Sequence, residues 1–427
     1  MLEEKYKSIS IRLLPTKEQE ELMWKHVHAS RFIYNWGLYT WEDMYKKNEK
    51  PSSNKIAKKL KHLKSGKKWL YTISNKTLVK TLQDLEKNYK MYFSGISKLP
   101  RYKSKKTSAY TFPIRTDKPN GLNTTPMPYI NLKNKTISIE KLGKITLSNS
   151  YTRFNIDFSN IYFYSSRVVY DGKYWYVKLN YKVKPRKTRE LTNETIGIDL
   201  GIKTLATCSN GKSYKNINKS SKVKKLEKKL SRLQRQVSRK YEMNKDYLTG
   251  CLLDKNGKPK INKSNGEVIQ KYVRRTKNII KLEREIKLLY RKLKNIRNTH
   301  IHTMTKEIVE QLPQEIVIED LKVNNLRKNK HLSKHINEVK WYEIRRQLIY
   351  KCEDRGILLT VANTYYPSSQ TCSCCGNRLT KQDKLSLKDR NYKCKECNTN
   401  LDRDYNASIN LKNYRYSKWY QDNIISQ

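Results

Sequence analysis

Apolar residues recur along the chain with two different periods, and each change of period marks a new element. In "YKSISIRLL" isoleucine and leucine alternate with polar residues up to Pro15, which predicts a short strand that ends in a turn. Thr16 is followed three residues later by Gln19, a capping-box pattern, and the apolar residues that come next have helical spacing. A long helix is therefore expected to begin just after the first strand.

A second helical stripe lies between about Asn75 and Phe93, where apolar residues recur every three or four positions and lysines occupy the opposite side. This pattern fits either an ordinary helix of a bundle or a helix that faces nucleic acid. Past residue 130 the period is two, and Asp171-Gly172 separates two alternating runs, which predicts a hairpin. We interpret the amino-terminal half as a β-module interrupted by a helical insert.

Residues 222–245 and 272–311 carry leucine and isoleucine at coiled-coil-like spacing among many charged residues. We predict a helical hairpin, with residues 246–270 as extra length between its two helices. The basic faces of the hairpin fit two interpretations, a surface that binds a nucleic-acid duplex and a surface that is simply solvated.

Three acidic segments share one design, in which a carboxylate ends an apolar strand or precedes a helix. "TIGIDLGI" places Asp199 near the end of such a strand, and the residues after it predict a hairpin back into the same sheet. "EIVIEDL" ends at Glu319, and "LDRDYNASINL" places Asp402 and Asp404 just before a helix. Ionised carboxylates at strand ends are costly unless they are paired with cations.

Carboxylates from separated segments that converge on hard cations are typical of a two-metal phosphodiesterase site. Oxygen ligands of this kind favour Mg²⁺. Taken alone, Asp199 fits a buried salt bridge or a helix N-cap equally well. The order of strand with Asp, strand with Glu and helix with Asp favours the metal site, so we predict that Asp199 binds metal there.

Five of the eight cysteines lie in one short segment near the carboxyl end. Two Cys-x2-Cys pairs separated by 18 residues are typical of a zinc ribbon, in which four thiolates form a closed tetrahedral structural site. The predicted ligands are Cys372, Cys375, Cys394 and Cys397. Cys374 is out of phase with them, and four free thiols are the alternative. Because the ribbon directly precedes "LDRDYNASINL", we expect it to hold the third carboxylate segment in place.

The net charge of the chain indicates what kind of partner it binds. The formal net charge of the 427-residue chain is +52, spread from end to end, which predicts binding to a polyanion. Codon usage in an AT-rich genome accounts for part of the lysine content. No run of about 18 apolar residues appears, so we expect no membrane partner and a cytoplasmic protein. The chain has no P-loop, which gives nucleotide hydrolysis no support.

Four segments together resemble a split RuvC domain with an inserted zinc ribbon, namely "IGIDLGIKTLAT", "IVIEDLKVNNL", "YYPSSQTCSCCG" with the second cysteine pair, and "LDRDYNASINL". The set is similar to the TnpB family, the transposon-encoded RNA-guided DNA nucleases related to type V CRISPR effectors. "IRLLPTKEQEELM", "SRFIYNWGL" and "KLPRYKSKK" resemble the amino-terminal part of the same family, so the resemblance covers nearly the whole chain.

The resemblance implies a catalytic triad of Asp199, Glu319 and Asp404, with Asp402 as a neighbour. It implies two Mg²⁺ ions, which Mn²⁺ can replace, one structural Zn²⁺, a transposon-derived guide RNA and a double-stranded DNA target. We expect a monomer that is associated with the prokaryotic nucleoid. Contacts with nucleic acid are predicted at six basic residues of the second helix and the linker after it: Lys76, Lys80, Arg101, Lys103, Lys105 and Lys106.

The implied fold is multidomain α+β. A β-barrel wedge domain carries a helical recognition insert, and an RNase H-like (RuvC) α/β domain with an inserted zinc ribbon follows it. The implied boundaries are 1–15 and 98–190 for the wedge domain, 16–97 for the recognition domain, 191–366 and 400–427 for the RuvC domain, 222–311 for its helical hairpin, and 367–399 for the zinc ribbon.

The function implied by the resemblance is RNA-guided cleavage of guide-matched DNA next to a short target-adjacent motif, by two-metal hydrolysis of a phosphodiester. Three alternatives stay open. They are a transposase or resolvase of RuvC type that needs no guide, a guided DNA-binding repressor that does not cleave, and a general RNA-binding protein.

Overall fold

The computed structural model describes residues 5–105, 108–116, 128–149, 152, 161–183, 189–243, 251, 257–261, 267–268, 276–380, 383, 385 and 389–425. Lys106, a predicted nucleic-acid contact, and most of the predicted extra length at 246–270 lie outside these residues. The chain forms two compact units, residues 1–185 and 186–427.

The first unit is an antiparallel sheet with helices inserted between its first two strands. Within the described residues the strands are β1 (Lys5–Leu14), β2 (Thr111–Pro113), β3 (Tyr129–Asn131), β4 (Thr136–Ile139), β5 (Gly143–Leu147), β6 (Phe163–Tyr170) and β7 (Trp175–Val183). The inserted helices are α1 (Lys17–Lys46), α2 (Ser53–Lys58), α3 (Leu60–Gly66) and α4 (Asn75–Phe93), with a 3-10 helix at Lys68–Thr72. This order confirms the predicted β-module with a helical insert.

The sequence patterns account for these elements. Thr16 caps α1 through the predicted capping box, since Gln19 N–H donates to Thr16 Oγ1 (3.3 Å) and Thr16 N–H donates to Gln19 Oε1 (3.1 Å). The apolar stripe of α4 is buried against α1. The predicted hairpin joins β6 to β7, and Gly172 has φ of 100°, a conformation that a residue with a Cβ rarely adopts.

The strands of this first sheet follow the order β2-β6-β7-β1-β5-β4-β3. Alternate residues of β1 point into the core, where Ile9 lies opposite Leu179 and Ile11 opposite Val177. Among the described strands β2 and β3 stand at the two ends of the order, so closure into a barrel stays a prediction.

The second unit is built on a mixed sheet. Within the described residues its strands are β8 (Thr192–Asp199), β9 (Thr204–Cys208), β10 (Ser213–Lys215), β11 (Pro313–Glu319) and β12 (Leu358–Ala362), and a separate hairpin is formed by β13 (Asn391–Lys393) and β14 (Asn400–Asp402). The sheet order is β10-β9-β8-β11-β12, in which β8, β11 and β12 are parallel. β9 runs antiparallel to β8, as the predicted hairpin after Asp199 requires.

The helices of the second unit are α5 (Ser221–Met243), α6 (Lys277–Val309), α7 (Val323–Leu326), α8 (Lys330–Val339), α9 (Trp341–Glu353), α10 (Arg403–Lys412) and α11 (Lys418–Tyr420), with 3-10 turns at Ile217–Lys219 and Tyr414–Tyr416 and a π-helix at Gln421–Ile425. Leucines of α5 pack against leucines of α6, which confirms the predicted helical hairpin. No helix in the described part of the chain combines the length and apolar character needed to cross a membrane.

The two faces of the second sheet are covered by different helices. Ile196, Ile198 and Ile318 lie on the face that packs against α6, α8 and α9. The residues between them point the other way because side chains alternate along a strand. At Gly197 a Cβ atom would lie 2.0 Å from the Ser408 carbonyl oxygen and 2.3 Å from the Lys412 nitrogen, so α10 packs directly on the backbone of β8.

This close approach makes Gly197 sensitive to substitution. We expect Gly197→Ala to destabilise the second unit by about 3 kcal/mol, because the new methyl group meets backbone atoms that cannot move aside. Differential scanning calorimetry of the full chain measures the effect. The control is Gly66→Ala in α3, where no atom lies within 4 Å of the added Cβ and the unfolding profile should stay as it is. Equal unfolding temperatures for G197A and the original chain would contradict the packing.

Candidate functional site

The three predicted carboxylates meet at one edge of the second sheet. β8 and β11 are parallel neighbours with Ile198 opposite Ile318, so Asp199 and Glu319 follow side by side where both strands end. Alternation turns both side chains away from the isoleucine face and toward the face covered by α10. Asp404 lies in the first turn of α10 and acts electrostatically on both of the other carboxyl groups.

The electrostatics of this acidic cluster are those of crowded like charges. Burial raises the pKa of Asp199 well above its usual value, and the charges of Glu319 and Asp404 raise it further. Burial also raises the pKa of Glu319 to about 7, although the Leu200 N–H, 3.2 Å from Glu319 Oε1, and a hydrogen bond from the Asp199 carboxyl oppose the shift. Two cations oppose this repulsion, since Arg390 Nη1 lies 3.9 Å from Asp404 Oδ1 and the charge of Arg403 lowers the pKa of Asp199.

A donor set of three carboxylates fits divalent cations with oxygen ligands. Bound cations would offset the cost of burying ionised carboxylates, which is the main cause of these raised pKa values, and the repulsion between the charges. Mg²⁺ is the ion that carboxylate oxygens favour. Asp199 and Glu319 share a hydrogen bond, and Asp404 lies close enough for its charge to act on both.

Asp402 caps a helix, a structural role that Asp404 does not have. Its Oδ1 accepts hydrogen bonds from the backbone N–H groups of Asp404 (2.9 Å) and Tyr405 (3.0 Å), so it is the N-cap of α10. The prediction that both aspartates precede the helix is therefore wrong for Asp404, which is the second residue of α10. The cap leaves Asp404 as the carboxylate that faces Asp199.

We expect Asp402→Ala to destabilise the start of α10 by about 1 kcal/mol, because two backbone N–H groups lose their acceptor. Asp402→Ser keeps a capping oxygen and should recover most of that loss. Thermal unfolding of both variants beside the original chain measures the difference. If alanine and serine gave the same loss, the capping role would be wrong.

The four predicted zinc ligands also come together. The sulfur atoms of Cys372 and Cys397 are 3.6 Å apart, as are those of Cys375 and Cys394. Zn–S bonds of about 2.3 Å in a tetrahedron require spacings of this size, so the residues fit zinc. The pKa of Cys397 is lowered to about 6, because the side chain and then the backbone of Thr399 hydrogen-bond to its sulfur, which favours the thiolate that binds metal. Cys374 is exposed and outside the cluster, as predicted.

Two asparagines of α10 tie the cysteine cluster to the acidic cluster. Asn406 accepts from the Ser373 N–H (2.9 Å) and donates to the Thr371 carbonyl (2.8 Å). Asn410 donates to the carbonyls of Thr371 (2.7 Å) and Ser368 (2.8 Å). Both asparagines are buried, so the segment that enters the ribbon fixes the helix that carries Asp404.

Cationic and aromatic residues that the sequence analysis did not single out surround Glu319. Glu319 lines two cavities, of about 620 and 340 Å³, and Lys322 also lines both. Arg327 lines the larger one, and the exposed Tyr365 lines the smaller one with its ring 5.4 Å from the Lys322 Nζ. Such residues bind phosphates and stack on bases. The basic run after Glu319 and the paired tyrosines of "TYYPSS" could have indicated them.

The predicted nucleic-acid contacts lie in the first unit. Lys76 is exposed on α4, and Lys80 is half-buried on the same helix. Arg101, Lys103 and Lys105 are exposed in the linker that follows. Their contact with nucleic acid stays a prediction.

Three family models match the chain. A helix-turn-helix domain model of the OrfB_IS605 group matches residues 1–50, and the OrfB_IS605 model described as "Probable transposase" matches 178–250 and 257–330. The "Cas12f1-like, TNB domain" model matches 341–411, the region of the cysteine cluster and most of α10.

Curated proteins resemble the chain over most of its length. It is 27% identical to "Putative RNA-guided DNA endonuclease InsQ" of Escherichia coli, over 95% of this chain and 91% of that protein. It is 25% identical to "Putative RNA-guided DNA endonuclease" of Streptomyces pristinaespiralis, over 96% and 90%. The solved Cas12f1–sgRNA–target DNA complex contains a chain of similar fold, with a TM-score of 0.52 at 13% identity over 96% of this chain and 99% of that one. The fold is therefore mixed α+β and Cas12f-like.

Proposed function

The chain belongs to the TnpB family of transposon-encoded proteins, and on that premise we propose that it is an RNA-guided DNA endonuclease. The observation that supports this function most directly is the acidic cluster, in which Asp199, Glu319 and Asp404 crowd one edge of a mixed sheet. A net charge of +52 supports nucleic acid both as the guide and as the substrate. Bacterial relatives support a cytoplasmic site of action.

Asp199, Glu319 and Asp404 are proposed to hold two Mg²⁺ ions. When bound, the ions would lower the pKa of the attacking water and stabilise charge on the leaving oxygen. The chain's own contribution is position. β8 and β11 present two carboxylates in register, and α10 holds the third at a fixed distance because Gly197 lets the helix reach the sheet.

Protein residues next to the acidic cluster are proposed to hold the nucleic-acid strand in place. Lys322 and Arg327 would bind phosphates on either side of the scissile bond, and Tyr365 would stack on a base. Asp320, beside Glu319, is engaged elsewhere, because Arg345 Nη1 lies 2.7 Å from its carboxylate. Glu319 is therefore the carboxylate of this pair that remains for the metal.

The domain names follow from the same proposal. The first unit corresponds to a wedge domain with a helical recognition insert, and the mixed sheet of the second unit to a RuvC domain interrupted by a zinc ribbon with Cys372, Cys375, Cys394 and Cys397 as ligands. Guide pairing would read the target sequence, while the basic residues bind backbone.

The test is to express the chain together with its neighbouring DNA, sequence the RNA that co-purifies, and incubate the complex with a matching plasmid. Cleavage is expected with Mg²⁺ and the RNA, and none after chelation or on an unmatched plasmid. Cleavage by protein stripped of RNA would favour a transposase or resolvase without a guide. Guide-dependent binding without any cleavage would favour a repressor.

A further inference from the structure

A cationic cavity in the first unit has no part in the acidic or cysteine clusters. Its volume is about 280 Å³, close to the smallest typical ligand pockets, which measure about 300 Å³. Its walls come from α1, α4, the linker after Arg101, β2 and β6. Three cationic side chains line it, Arg31, Lys103 and Arg167, against one carboxylate, Asp84. Its lining therefore carries excess positive charge.

Two hydroxyl groups of this cavity have no partner within the ranges that the structure describes. The Oγ atoms of Ser30 and Ser108 are buried and have no hydrogen-bond partner among the described residues, and Ser30 is only 7% exposed. Buried hydroxyls are normally hydrogen-bonded, because an unpaired one loses its interaction with water and gains nothing in return. Both residues line the cavity, so a ligand inside it can accept from them.

The cations of the cavity are held in place by the protein. Asn35 clamps the backbone of Lys103 with two hydrogen bonds, to its carbonyl (2.9 Å) and from its N–H (2.8 Å). Although Lys103 is exposed overall, its Nζ lies 3.4 Å from the centroid of the buried Tyr34 ring. Burial lowers the pKa of Lys103 to about 8, and the charge of Arg167 adds to this. Arg167 itself pairs with Asp84 at 2.9 Å.

We propose that this cavity binds one phosphodiester group of a nucleic-acid strand, with Ser30 and Ser108 as neutral donors and Arg31 and Lys103 as charged donors. A phosphodiester suits the lining because its non-bridging oxygens only accept hydrogen bonds, and Asp84 is neutralised by Arg167. This inference rests on the proposed function, which supplies two strands that carry the group, the guide RNA and the target DNA.

The test uses Ser30→Ala and Ser108→Ala, singly and together, in the full chain. Two dissociation constants are measured, that of the co-purifying RNA for the RNA-free protein and that of a matching DNA duplex for the RNA–protein complex. The double variant is expected to weaken one of the two by about tenfold. Weaker RNA binding assigns the phosphodiester to the guide, and weaker DNA binding with normal RNA binding assigns it to the target.

Stability separates this role from a structural one. Because neither hydroxyl has a partner in the part of the free protein that the structure describes, the alanine variants should unfold at the same temperature as the original chain or higher. Unchanged affinity for both nucleic acids would overturn the proposal, and so would a loss of affinity that only accompanies a lower unfolding temperature.

Lys103→Gln provides a second measurement, with Lys133→Gln as its matched control. Lys133 is exposed in the turn at 132–135, so its loss reports the general effect of one positive charge. Lys103→Gln should weaken binding several-fold more than Lys133→Gln. It should also reduce the slope of log affinity against log salt concentration by about one, because one counterion fewer is released on binding. Equal effects would overturn the proposal. If the original complex failed to cleave DNA while these differences appeared, the cavity assignment would stand and the nuclease assignment would fall.

Discussion

Asp199→Asn is expected to reduce guide-dependent DNA cleavage by about 10³-fold or more while RNA binding stays as it is. The substitution keeps the shape of the side chain and removes the charge that a cation needs, in a cluster where Glu319 and Asp404 already crowd it. Single-turnover cleavage of a matched plasmid, with saturating RNA–protein complex, measures the rate.

Stability measurements make this prediction sharper. Since the fold brings like charges together at Asp199, its asparagine variant should unfold at an equal or higher temperature without Mg²⁺. The original chain should gain more stability than D199N when Mg²⁺ is added, because binding to the folded state alone stabilises it. The control is Asp402→Ser, which changes a neighbouring acidic residue but preserves its cap and should retain most of the cleavage rate. Comparable activity in D199N and the original chain would contradict the catalytic assignment.

Cys372→Ser is expected to remove the zinc ion and, with it, cleavage. Zinc bound by four thiolates contributes on the order of 10 kcal/mol of binding free energy to the folding of small structural sites, so a lost ligand unfolds the segment around it. Asn406 and Asn410 of α10 bond to backbone in that segment, so Asp404 would lose its position. Atomic absorption measures zinc per chain, and the plasmid assay measures activity.

Cys374→Ser is the matched control for this variant. It removes a thiol two residues away that is exposed and lies outside the cluster. One zinc per chain and the original cleavage rate are expected. Loss of zinc in C374S, or a full zinc complement in C372S, would show that the ligand set is wrong.

Elements that depend on neighbouring residues could be predicted from the chain's pattern. The Thr16–Gln19 capping box, the stripe of α4 and the hairpin at Asp171-Gly172 all appear where their local chemistry requires them. One local error concerns Asp404. Either of two aspartates close to the start of a helix can cap it, and in α10 the free backbone N–H groups donate to Asp402.

Other features could not be predicted because they join distant segments. The N–H of Leu200 and the carboxylate of Glu319 lie 3.2 Å apart although 119 positions separate them. The sequence indicated that these acidic segments were alike, but the parallel register of β8 and β11 decided that their carboxylates are neighbours. The same holds for Ser30, which is buried without a hydrogen-bond partner among the described residues only because α1 packs beside the linker and β2.

Periodicity, turn residues and caps act over a few residues, so the order of residues in the chain was enough to predict the first strand, the long helices, the hairpin at Asp171-Gly172, the paired cysteines and the three acidic segments. Which side chains share a pocket depends on register and on how closely a helix approaches a sheet. At Gly197 the absence of one Cβ lets α10 reach β8. Only the packed fold therefore decided that Asp199, Glu319 and Asp404 form one centre, because their approach is stabilised by the burial of apolar residues around them and opposed by their own charges.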